Sequence, residues 1–436
     1  MKLNIPIKRA PVVTYEGGRA VYQPTHVELE RAVSTCMLWE NTFYEKGSDI
    51  ADRIAVLCAK AKPEFVADLA HKARTDLKLR HVPLFLALQL VRLHSPLAKH
   101  VIYDVCHRPD EMTELLAMYW KDGRRPLAAQ LKRGLAMAFT KFNEYNLAKW
   151  NKDGTVKLKD VMFMTHPKPK DEDQAYIWKR LVAGTLATPD TWEVALSAGK
   201  DKRATWERLL VEKQLGYMAL LMNLRNMSEV GVSHTLIESA LRNGAKDSKA
   251  LPFRFISAYK HAPQYAQALS DAMELAVTGS LPGATAIVLD VSGSMNTTIS
   301  DKGELCRYEV AAALAVLVRG LAPSCRVFVY NDKCYEVANI KGLGLLDVIK
   351  QTVCGGTNTA LALAFVQQAC PKLDRMILLT DEQSHDGMYR NWATHGYLIN
   401  VAPYKPGLDL IGGWVRINGW SEKVVDWFQY HEQGGM

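Results

Sequence analysis

An apolar run that stops abruptly at a carboxylate and two hydroxyls sets the first limit on how this chain can fold. Residues 287–295 read IVLDVSGSM, so Asp290, Ser292 and Ser294 follow directly on apolar residues. A short apolar run of this kind is typical of a buried strand. Because side chains alternate along an extended chain that then turns, these three residues can aim their oxygens at one point. Hard cations such as Mg2+ prefer oxygen ligands, so the segment predicts a strand that leads into a metal-binding loop.

Two later segments strengthen this prediction. The residues at 355–359, GGTNT, form a loop opened by two glycines, and MILLTDE at 376–382 is a second apolar run that reaches Asp381. The spacing alone is also compatible with a Ser/Gly turn that binds no ion. The aspartate-nucleophile phosphatases use Asp-x-Asp where this chain has Asp290-Val-Ser292. The missing second carboxylate argues against phosphatase chemistry.

Strands and helices alternate from residue 284 onward. We expect strands at 284–289, 325–330, 376–379 and 397–401, and helices at 308–321, 345–351, 359–370 and 424–430. Apolar strands joined by helices predict a doubly wound, mainly parallel sheet with its ligand crevice at the carboxyl ends of the strands. Asp290 and Asp381 each follow a strand, so both carboxylates should lie at the same edge.

The chain from residue 26 to about residue 277 has a different pattern, a succession of amphipathic or wholly apolar helices with short breaks. Helices are expected at 27–40, 49–61, 64–75, 83–94, 111–120, 126–145 and 213–227. Paired helices without strands are typical of an α-solenoid, although no fixed sequence period is visible. A short hairpin around Gly17-Gly18 should precede them. The predicted organisation is a helical domain at 1–277, a linker at 278–283 and an α/β domain at 284–436.

Charge is distributed unevenly between these parts. The chain has a formal net charge of +8, but residues 1–280 carry 41 Lys and Arg against 31 Asp and Glu, whereas residues 281–436 carry 13 against 15. A basic helical part favours an anionic partner, most commonly nucleic acid. Solvated Lys and Arg on helix surfaces would give the same balance.

Composition and hydropathy exclude several classes of protein. With 436 residues, 48% hydrophobic and 23% charged, the chain is an ordinary globular sequence long enough for two or three domains. The richest apolar run, 83–93, is too short to span a membrane, and the first residues lack a signal-peptide core, so a cytoplasmic location is expected. The eight cysteines include no C-x-x-C pair and should be free, mostly buried thiols.

Two groups of basic residues are candidates for contact with nucleic acid. The first group, before Pro83, consists of Lys72, Arg74, Lys78 and Arg80. The second group, around the KDGRRP segment at 121–126, consists of Arg124, Arg125, Lys132, Arg133 and Lys141. If a helix begins near Pro126, Arg125, Lys132 and Arg133 share one face. Basic residues with nearby aromatics, here Phe142, Tyr145 and Trp150, suit single-stranded RNA, whereas a solvated helix face is the alternative.

The oxygen-bearing segments resemble the metal-ion-dependent adhesion site of von Willebrand factor A domains. The resemblance implies that Ser292, Ser294 and Thr357 bind Mg2+ or Mn2+ directly, while Asp290 and Asp381 bind directly or through water. It also implies one open position for a partner's carboxylate or a water.

The helical part resembles the TROVE domain, the RNA-binding module of the Ro autoantigen family. The matching landmarks are Gly17-Gly18, NTFYE at 41–45, KDVMFMTHPK at 159–168, TWERLL at 205–210, LGYMALLMNLRNM at 215–227 and LPF at 251–253. Ro proteins carry the A-type domain after the TROVE helices, which is the order found here. The family's RNA-contacting histidine corresponds either to His166 or to a position lost before Lys159-Asp160.

Likeness to bacterial and phage Ro proteins implies a ring of HEAT-like repeats, with Y-like small RNA on its basic outer surface and single-stranded 3′ ends of misfolded RNA in the central hole. Polynucleotide phosphorylase is among the implied partners. We therefore expect a non-enzymatic, monomeric RNA-binding protein that acts in RNA quality control or as a scaffold for a nuclease. The alternative is an assembly module whose metal site grips an acidic residue of a protein partner. A metal-dependent hydrolase is disfavoured because no general base, nucleophile or phosphate-cradling loop accompanies the site.

Overall fold

A computed structural model describes residues 13–15, 17, 19–36, 38–246, 248, 250, 252–276, 279–384, 386–419 and 423–433. The chain divides into two compact units. One, here the helical unit, comprises Thr25–Val33 and Asp49–Ala240. The other, here the sheet unit, comprises Leu241–Met436 together with Met1–Pro24 and Ser34–Ser48. The segment Ser34–Ser48, close to the N-terminus in sequence, thus belongs with the unit that contains the sheet.

The helical unit is formed by consecutive helices, of which α1, α2 and α14 extend past its limits. These helices are α1 (Thr25–Ser34), α2 (Gly47–Lys60), α3 (Pro63–Thr75), α4 (His81–Arg92), α5 (Ala98–Val105), α6 (Pro109–Tyr119), α7 (Ala129–Phe139), α8 (Glu144–Trp150), α9 (Leu158–Thr165), α10 (Glu172–Ala183), α11 (Trp192–Ser197), α12 (Lys202–Val211), α13 (Tyr217–Glu229) and α14 (His234–Ala245).

The centre of the helical unit is built around α4, which is buried from Val82 to Val91. An all-round apolar helix is stable only when neighbours cover every side. Close packing also requires a glycine at position 134 of α7, since a Cβ there would lie 2.8 Å from the Ile102 Cβ of α5. No helix formed by the described residues is long and apolar enough to cross a membrane.

The single helix expected at 126–145 is wrong, because the chain forms α7 and α8 there instead. Helix α7 begins only at Ala129 and ends at Phe139. The Asn143 side chain then accepts a hydrogen bond from the Asn146 backbone amide at 2.9 Å and caps the start of α8. Asn is a strong helix-initiating residue, so it starts a separate helix after the break.

The sheet unit contains the remaining α-helices and the strands formed by the described residues. Its helices are α15 (Pro252–His261), α16 (Ala266–Leu275), α17 (Arg307–Leu321), α18 (Gly344–Lys350), α19 (Thr359–Ala369) and α20 (Lys423–Glu432). Its strands are β1 (Ala284–Asp290), β2 (Ser324–Tyr330), β3 (Cys334–Glu336), β4 (Arg375–Thr380), β5 (Met388–Arg390), β6 (His395–Asn400), β7 (Asp409–Ile411) and β8 (Trp414–Asn418).

The main sheet has the order β3-β2-β1-β4-β6-β8, and only β3 runs antiparallel to its neighbour. Strands β5 and β7 form a small parallel pair of their own. Helix α17 is buried from Arg307 to Arg319, as expected of a helix that covers a parallel sheet. These findings confirm the predicted fold class, an α-helical region followed by a mainly parallel α/β domain.

Other expectations fall partly outside the described residues. Val13 and Arg19 form an antiparallel bridge in the predicted hairpin, but Gly18 lies outside them. Residues 277 and 278, at the predicted domain boundary, and Leu251 of the LPF landmark also lie outside. The eight cysteines, all within the described residues, form no disulfide bonds, and Cys354 is exposed while the others are buried or half-buried.

Candidate metal site and nucleic-acid interface

The two predicted carboxylates lie at one edge of the sheet because β1 and β4 are parallel neighbours. Asp290 is the last residue of β1, and Asp381 follows directly on β4. Both side chains are fully buried. Asp290 Oδ2 accepts a hydrogen bond from the Thr380 hydroxyl at 2.8 Å, and Oδ1 accepts one from the Ser292 backbone amide at 2.9 Å. The strand ends therefore hold Asp290 in one orientation.

The predicted hydroxyl ligands lie in loops joined by backbone hydrogen bonds. The Ser292 and Ser294 hydroxyl oxygens are 3.2 Å apart. The Gly293 amide donates to the Gly355 carbonyl at 3.0 Å, which holds the loop before α19 against the loop after β1. Thr357 belongs to this second loop. Among the described residues, no hydrogen bond joins its hydroxyl to the other four predicted ligands.

Asp332 lies so close to the backbone of this second loop that two of the loop positions have no room for a side chain. A Cβ at Gly355, whose φ is +80°, would lie 2.4 Å from one Asp332 carboxylate oxygen, and a Cβ at Gly356 would lie 2.5 Å from the other. The Gly356 amide donates to Asp332 at 2.8 Å. Only glycine allows the backbone to approach a carboxylate this closely.

The two buried carboxylates at the sheet edge lack a compensating positive charge in direct contact among the described residues. Burial, and secondly the nearby charge of Asp381, raises the pKa of Asp290. Asp381 Oδ2 accepts a hydrogen bond from the Tyr44 hydroxyl, but Oδ1 is buried and has no hydrogen-bond partner in the described part of the chain. A buried carboxylate oxygen without a partner is costly unless a cation or proton satisfies it.

The donor set fits a hard divalent cation. It combines two buried carboxylates with serine and threonine hydroxyls. The buried Asp381 oxygen that has no hydrogen-bond partner in the described part of the chain is the atom that a cation would satisfy. Within the described ranges, no group of three or more His, Cys, Asp and Glu side chains could hold a metal ion. A cation at this edge would therefore depend on hydroxyl oxygens as well as on the two carboxylates.

Tyr44 is a residue of this site that the sequence interpretation did not assign. Its hydroxyl contacts both Asp381 and Ser294, and burial raises its pKa well above the usual range, so that it stays a neutral donor. The Arg307 guanidinium lies 4.4 Å from the centre of the Tyr44 ring and donates to the Ser294 carbonyl at 3.0 Å. The NTFYE landmark at 41–45 was the available signal, but nothing in its spacing pointed to the sheet edge.

The first basic group is largely neutralised within the helical unit. Arg74 pairs with Glu111 at 2.5 Å, and Arg80 pairs with Asp110 at 2.7 Å and with Glu114. The other two members, Lys72 and Lys78, contact Glu30 and the Thr75 carbonyl respectively. Arg74 and Arg80 therefore join neighbouring helices, whereas Lys72 forms an exposed ion pair and Lys78 binds a carbonyl at the end of α3.

The second basic group is divided by the break between α7 and α8. Lys141 donates to the Cys106 carbonyl at 2.7 Å, so it binds the end of α5, and burial lowers its pKa. Arg125 lies before α7 and packs over the Tyr119 ring at 4.4 Å, so the predicted stripe of Arg125 with Lys132 and Arg133 on one helix is wrong. Arg125 and Arg133 are nevertheless exposed, and Lys132 is half-buried.

Cation–aromatic contacts occur at both ends of α6. At its start, the Arg108 guanidinium lies 4.1 Å from the centre of the Trp150 ring, with Lys149 and Lys152 beside the same ring. At its end, Arg124 packs over Trp120 at 5.0 Å. The sequence pointed to Trp150 and Arg124 but missed Arg108, because the α6–α8 contact joins residues distant in sequence. Flat rings beside cations are the surface that stacks bases and binds phosphates.

His166 lies at the end of α9, where it adopts a left-handed conformation with φ of 50°. Its backbone amide donates to the Met162 carbonyl at 2.9 Å and closes the last turn. The observed role of His166 is thus to terminate a helix.

Comparison with protein-family models identifies two domains. Residues 174–262 match the TROVE domain, and residues 285–394 match the Ro60 vWA domain. The crystal structure of the Deinococcus radiodurans Ro (RSR) protein shares this fold, with a TM-score of 0.57 and 16% sequence identity over 95% of this chain and 100% of that one.

Two curated relatives match over a shorter range. The telomerase protein component 1 of Mus musculus is 36% identical over 90 residues, which is 19% of this chain, and that of Rattus norvegicus is 35% identical over 79 residues, or 17% of this chain. The match spans only 3% of either relative.

A helical TROVE region followed by an A-type domain defines the class of the protein. The chain matches both domain models in that order, and its fold is similar to that of the Deinococcus radiodurans Ro (RSR) protein.

Proposed function

We propose that this protein is a bacterial or phage-type Ro protein that binds Y-like small RNA and the single-stranded 3′ ends of misfolded non-coding RNA. In this role it serves RNA quality control or acts as a scaffold for a nuclease such as polynucleotide phosphorylase. It works as a cytoplasmic monomer without catalytic activity of its own.

The observation that carries the proposal is the pair of cation–aromatic groups at the ends of α6. The helix has 11 residues, so its ends are about 16 Å apart. Arg124, Arg125, Lys132 and Arg133 form no ion pair with an acidic residue of the described chain, in contrast to the first basic group. Of these four, Arg124 packs over the half-buried Trp120 ring, so a cation without an acidic partner and a ring lie side by side for a phosphate and a base.

A triple variant, Arg125→Ala with Lys132→Ala and Arg133→Ala, tests this proposal. Each phosphate contact that is lost should lower the salt slope of single-strand binding by about 0.7, so the triple variant should lose affinity and up to about two units of slope. Fluorescence anisotropy over a salt series measures both quantities. Since these side chains read no base edges, the loss should be similar for unrelated RNA sequences.

The matched control removes the same charge from paired cations. Arg203, Arg208 and Arg225 each form an i, i+4 ion pair on a helix surface. Their triple Ala variant should retain the wild-type slope. An unchanged salt slope in the Arg125 triple variant would show that these cations do not contact RNA and are only a solvated helix surface. Equal affinity for blunt and tailed duplexes would contradict a preference for single-stranded ends.

A second proposal concerns the sheet edge, where Asp290, Asp381, Ser292, Ser294 and Thr357 would hold Mg2+ or Mn2+. The unpartnered Asp381 oxygen supports it. Such an ion supplies a Lewis-acidic centre that can bind the carboxylate of a protein partner, which makes a metal-dependent assembly module the alternative function. Tight divalent-dependent protein capture with weak RNA binding at moderate salt would favour that alternative.

A further inference from the structure

The segment Asn41–Gly47 is hydrogen-bonded to Asp301 through Asn41 and is closed on itself by a bond between its two ends. Asn41 Nδ2 donates to Asp301 Oδ2 at 3.0 Å, and the Asp301 amide donates to the Asn41 carbonyl at 2.8 Å. The Gly47 amide donates to Asn41 Oδ1 at 2.9 Å, which closes the segment into a loop. A Cβ on Gly47 would lie 2.3 Å from the Trp39 carbonyl carbon, so the loop can close only with glycine. The segment is therefore held in one conformation.

The Tyr44 side chain extends from this loop into the sheet edge. Its ring stacks on Tyr404 with centroids 5.5 Å apart and planes at 21°, and the Arg307 guanidinium covers it at 4.4 Å. Only 8% of the residue is exposed. Because the ring is held by Tyr404 and Arg307, its hydroxyl is aimed at Asp381 and Ser294 rather than at solvent.

The position of this hydroxyl is chemically unusual for a site that binds external ligands. Asp381 and Ser294 are two of the five residues proposed to hold a cation, and the hydroxyl contacts both. An external carboxylate that approached through this side would meet the Tyr44 ring first. A phenol oxygen is itself a ligand for a hard cation, but a neutral one and so weaker than a carboxylate.

We infer that Tyr44 is a built-in occupant of the sheet-edge metal site, at the position that a carboxylate of a partner would take. The inference rests on the proposed metal site. The Asn41–Gly47 loop would then act as a tethered ligand that keeps the site closed, and a partner could bind only by displacing it. The high effective concentration of a tethered group offsets the weakness of a neutral ligand.

Two substitutions separate this role from simple packing. Tyr44→Phe keeps the ring and its contacts with Tyr404 and Arg307 but removes the hydroxyl. Tyr44→Ala removes the ring as well and opens the edge. Tyr404→Phe is the matched control, because it removes a hydroxyl from the stacked ring that makes no contact with the five proposed ligands among the described residues.

The experiment measures water-proton relaxation by bound Mn2+ in the full-length chain, with acetate as the probe ligand. Wild type and Tyr404→Phe should show low relaxivity per bound ion that acetate does not change. Tyr44→Phe should raise relaxivity because water replaces the hydroxyl, and Tyr44→Ala should raise it at least as much. In both Tyr44 variants, millimolar acetate should lower relaxivity again by displacing that water.

The outcomes distinguish the inference from the proposal beneath it. If titration of wild type shows no bound Mn2+, the metal site fails and the inference with it. If all four proteins bind Mn2+ with equal relaxivity and equal indifference to acetate, the metal site stands, and Tyr44 is only a packed aromatic residue. A rise in Tyr44→Ala without a rise in Tyr44→Phe would assign the closure to the ring and overturn the role of the hydroxyl.

Discussion

Buried carboxylates occur in both units of this protein, but their surroundings differ. In the helical unit, Glu111 is fully buried and pairs with Arg74 at 2.5 Å, with Arg108 at 3.7 Å and with Arg80 at 3.9 Å. The backbone amides of His107 and Arg108 donate to its second oxygen at 2.7 and 2.9 Å. One Glu111 oxygen is thus surrounded by cations, and the other accepts two backbone hydrogen bonds.

At the edge of the sheet, two carboxylates are buried together without such cations. The ion pairs of the described residues include neither Asp290 nor Asp381, whose recorded donors are hydroxyls and a backbone amide. The cost of burying a charge has to be offset by a counter-charge or by protonation. Arginines supply the counter-charge of Glu111, and Arg416 supplies that of Glu382 at 2.8 Å, whereas Asp290 and Asp381 are left to be balanced by a bound cation or a proton.

The largest expected effect follows from removing the charge of Glu111. Glu111→Gln removes the acidic partner of Arg74, whereas Arg80 and Arg108 keep their ion pairs with Asp110. Breaking a buried pair in this way costs about 3–5 kcal/mol. Urea unfolding should therefore show a large drop in the stability of the helical unit.

The control for this change is Glu114→Gln. Glu114 is 30% exposed and also contacts Arg80, so water can replace part of the lost interaction. A loss as large as that of Glu111→Gln would mean that burial is not what distinguishes the two positions.

A smaller effect of opposite sign is expected for Asp381→Asn in the presence of EDTA. The substitution removes the charge that opposes Asp290 and keeps an oxygen for the Tyr44 hydroxyl. Without divalent ions, thermal unfolding should begin at the same temperature as in wild type or at a higher one. Clear destabilisation in EDTA would show that the charge of Asp381 is already compensated by the protein, as the charge of Glu111 is.

The smallest effect concerns a basic residue at the surface. Lys72 is 51% exposed on its side chain, and its ion pair with Glu30 is open to solvent. Lys72→Ala should change the free energy of unfolding by no more than about 1 kcal/mol. A loss of several kcal/mol in urea unfolding would contradict the distinction between buried and exposed pairs in this unit.

The sequence predicted the parts of the sheet unit that depend on local pattern. The apolar runs that end at Asp290 and Thr380 are continuous, so their strands, their parallel pairing and the shared edge could all be derived from chain order. Strands β3, β5, β7 and β8 were missed. They are short or only half-buried, and thus carry little hydrophobic signal.

Long-range pairing could not be derived in the same way. Arg74 and Arg80 look like free cations in the sequence, and only the packing of α3 and α4 near α6 brings Asp110, Glu111 and Glu114 to them. Tyr44 is separated from Asp381 by 337 residues. No local rule links positions so far apart, and the helix break at Asn143 misled the interpretation because amphipathic spacing continues across it.

Calorimetric titration with Mn2+ most directly tests whether a cation balances the buried carboxylates of the sheet edge. Wild type should bind one ion per chain, and at 100 times the dissociation constant the ion should stabilise the fold by about 2.7 kcal/mol. Asp290→Asn and Asp381→Asn should abolish binding, whereas Asp386→Asn, which changes an exposed carboxylate of the following loop, should leave it intact. Two results would contradict this explanation: no saturable Mn2+ binding in wild type, or Mn2+ binding by Asp290→Asn and Asp381→Asn that is as tight as that of wild type.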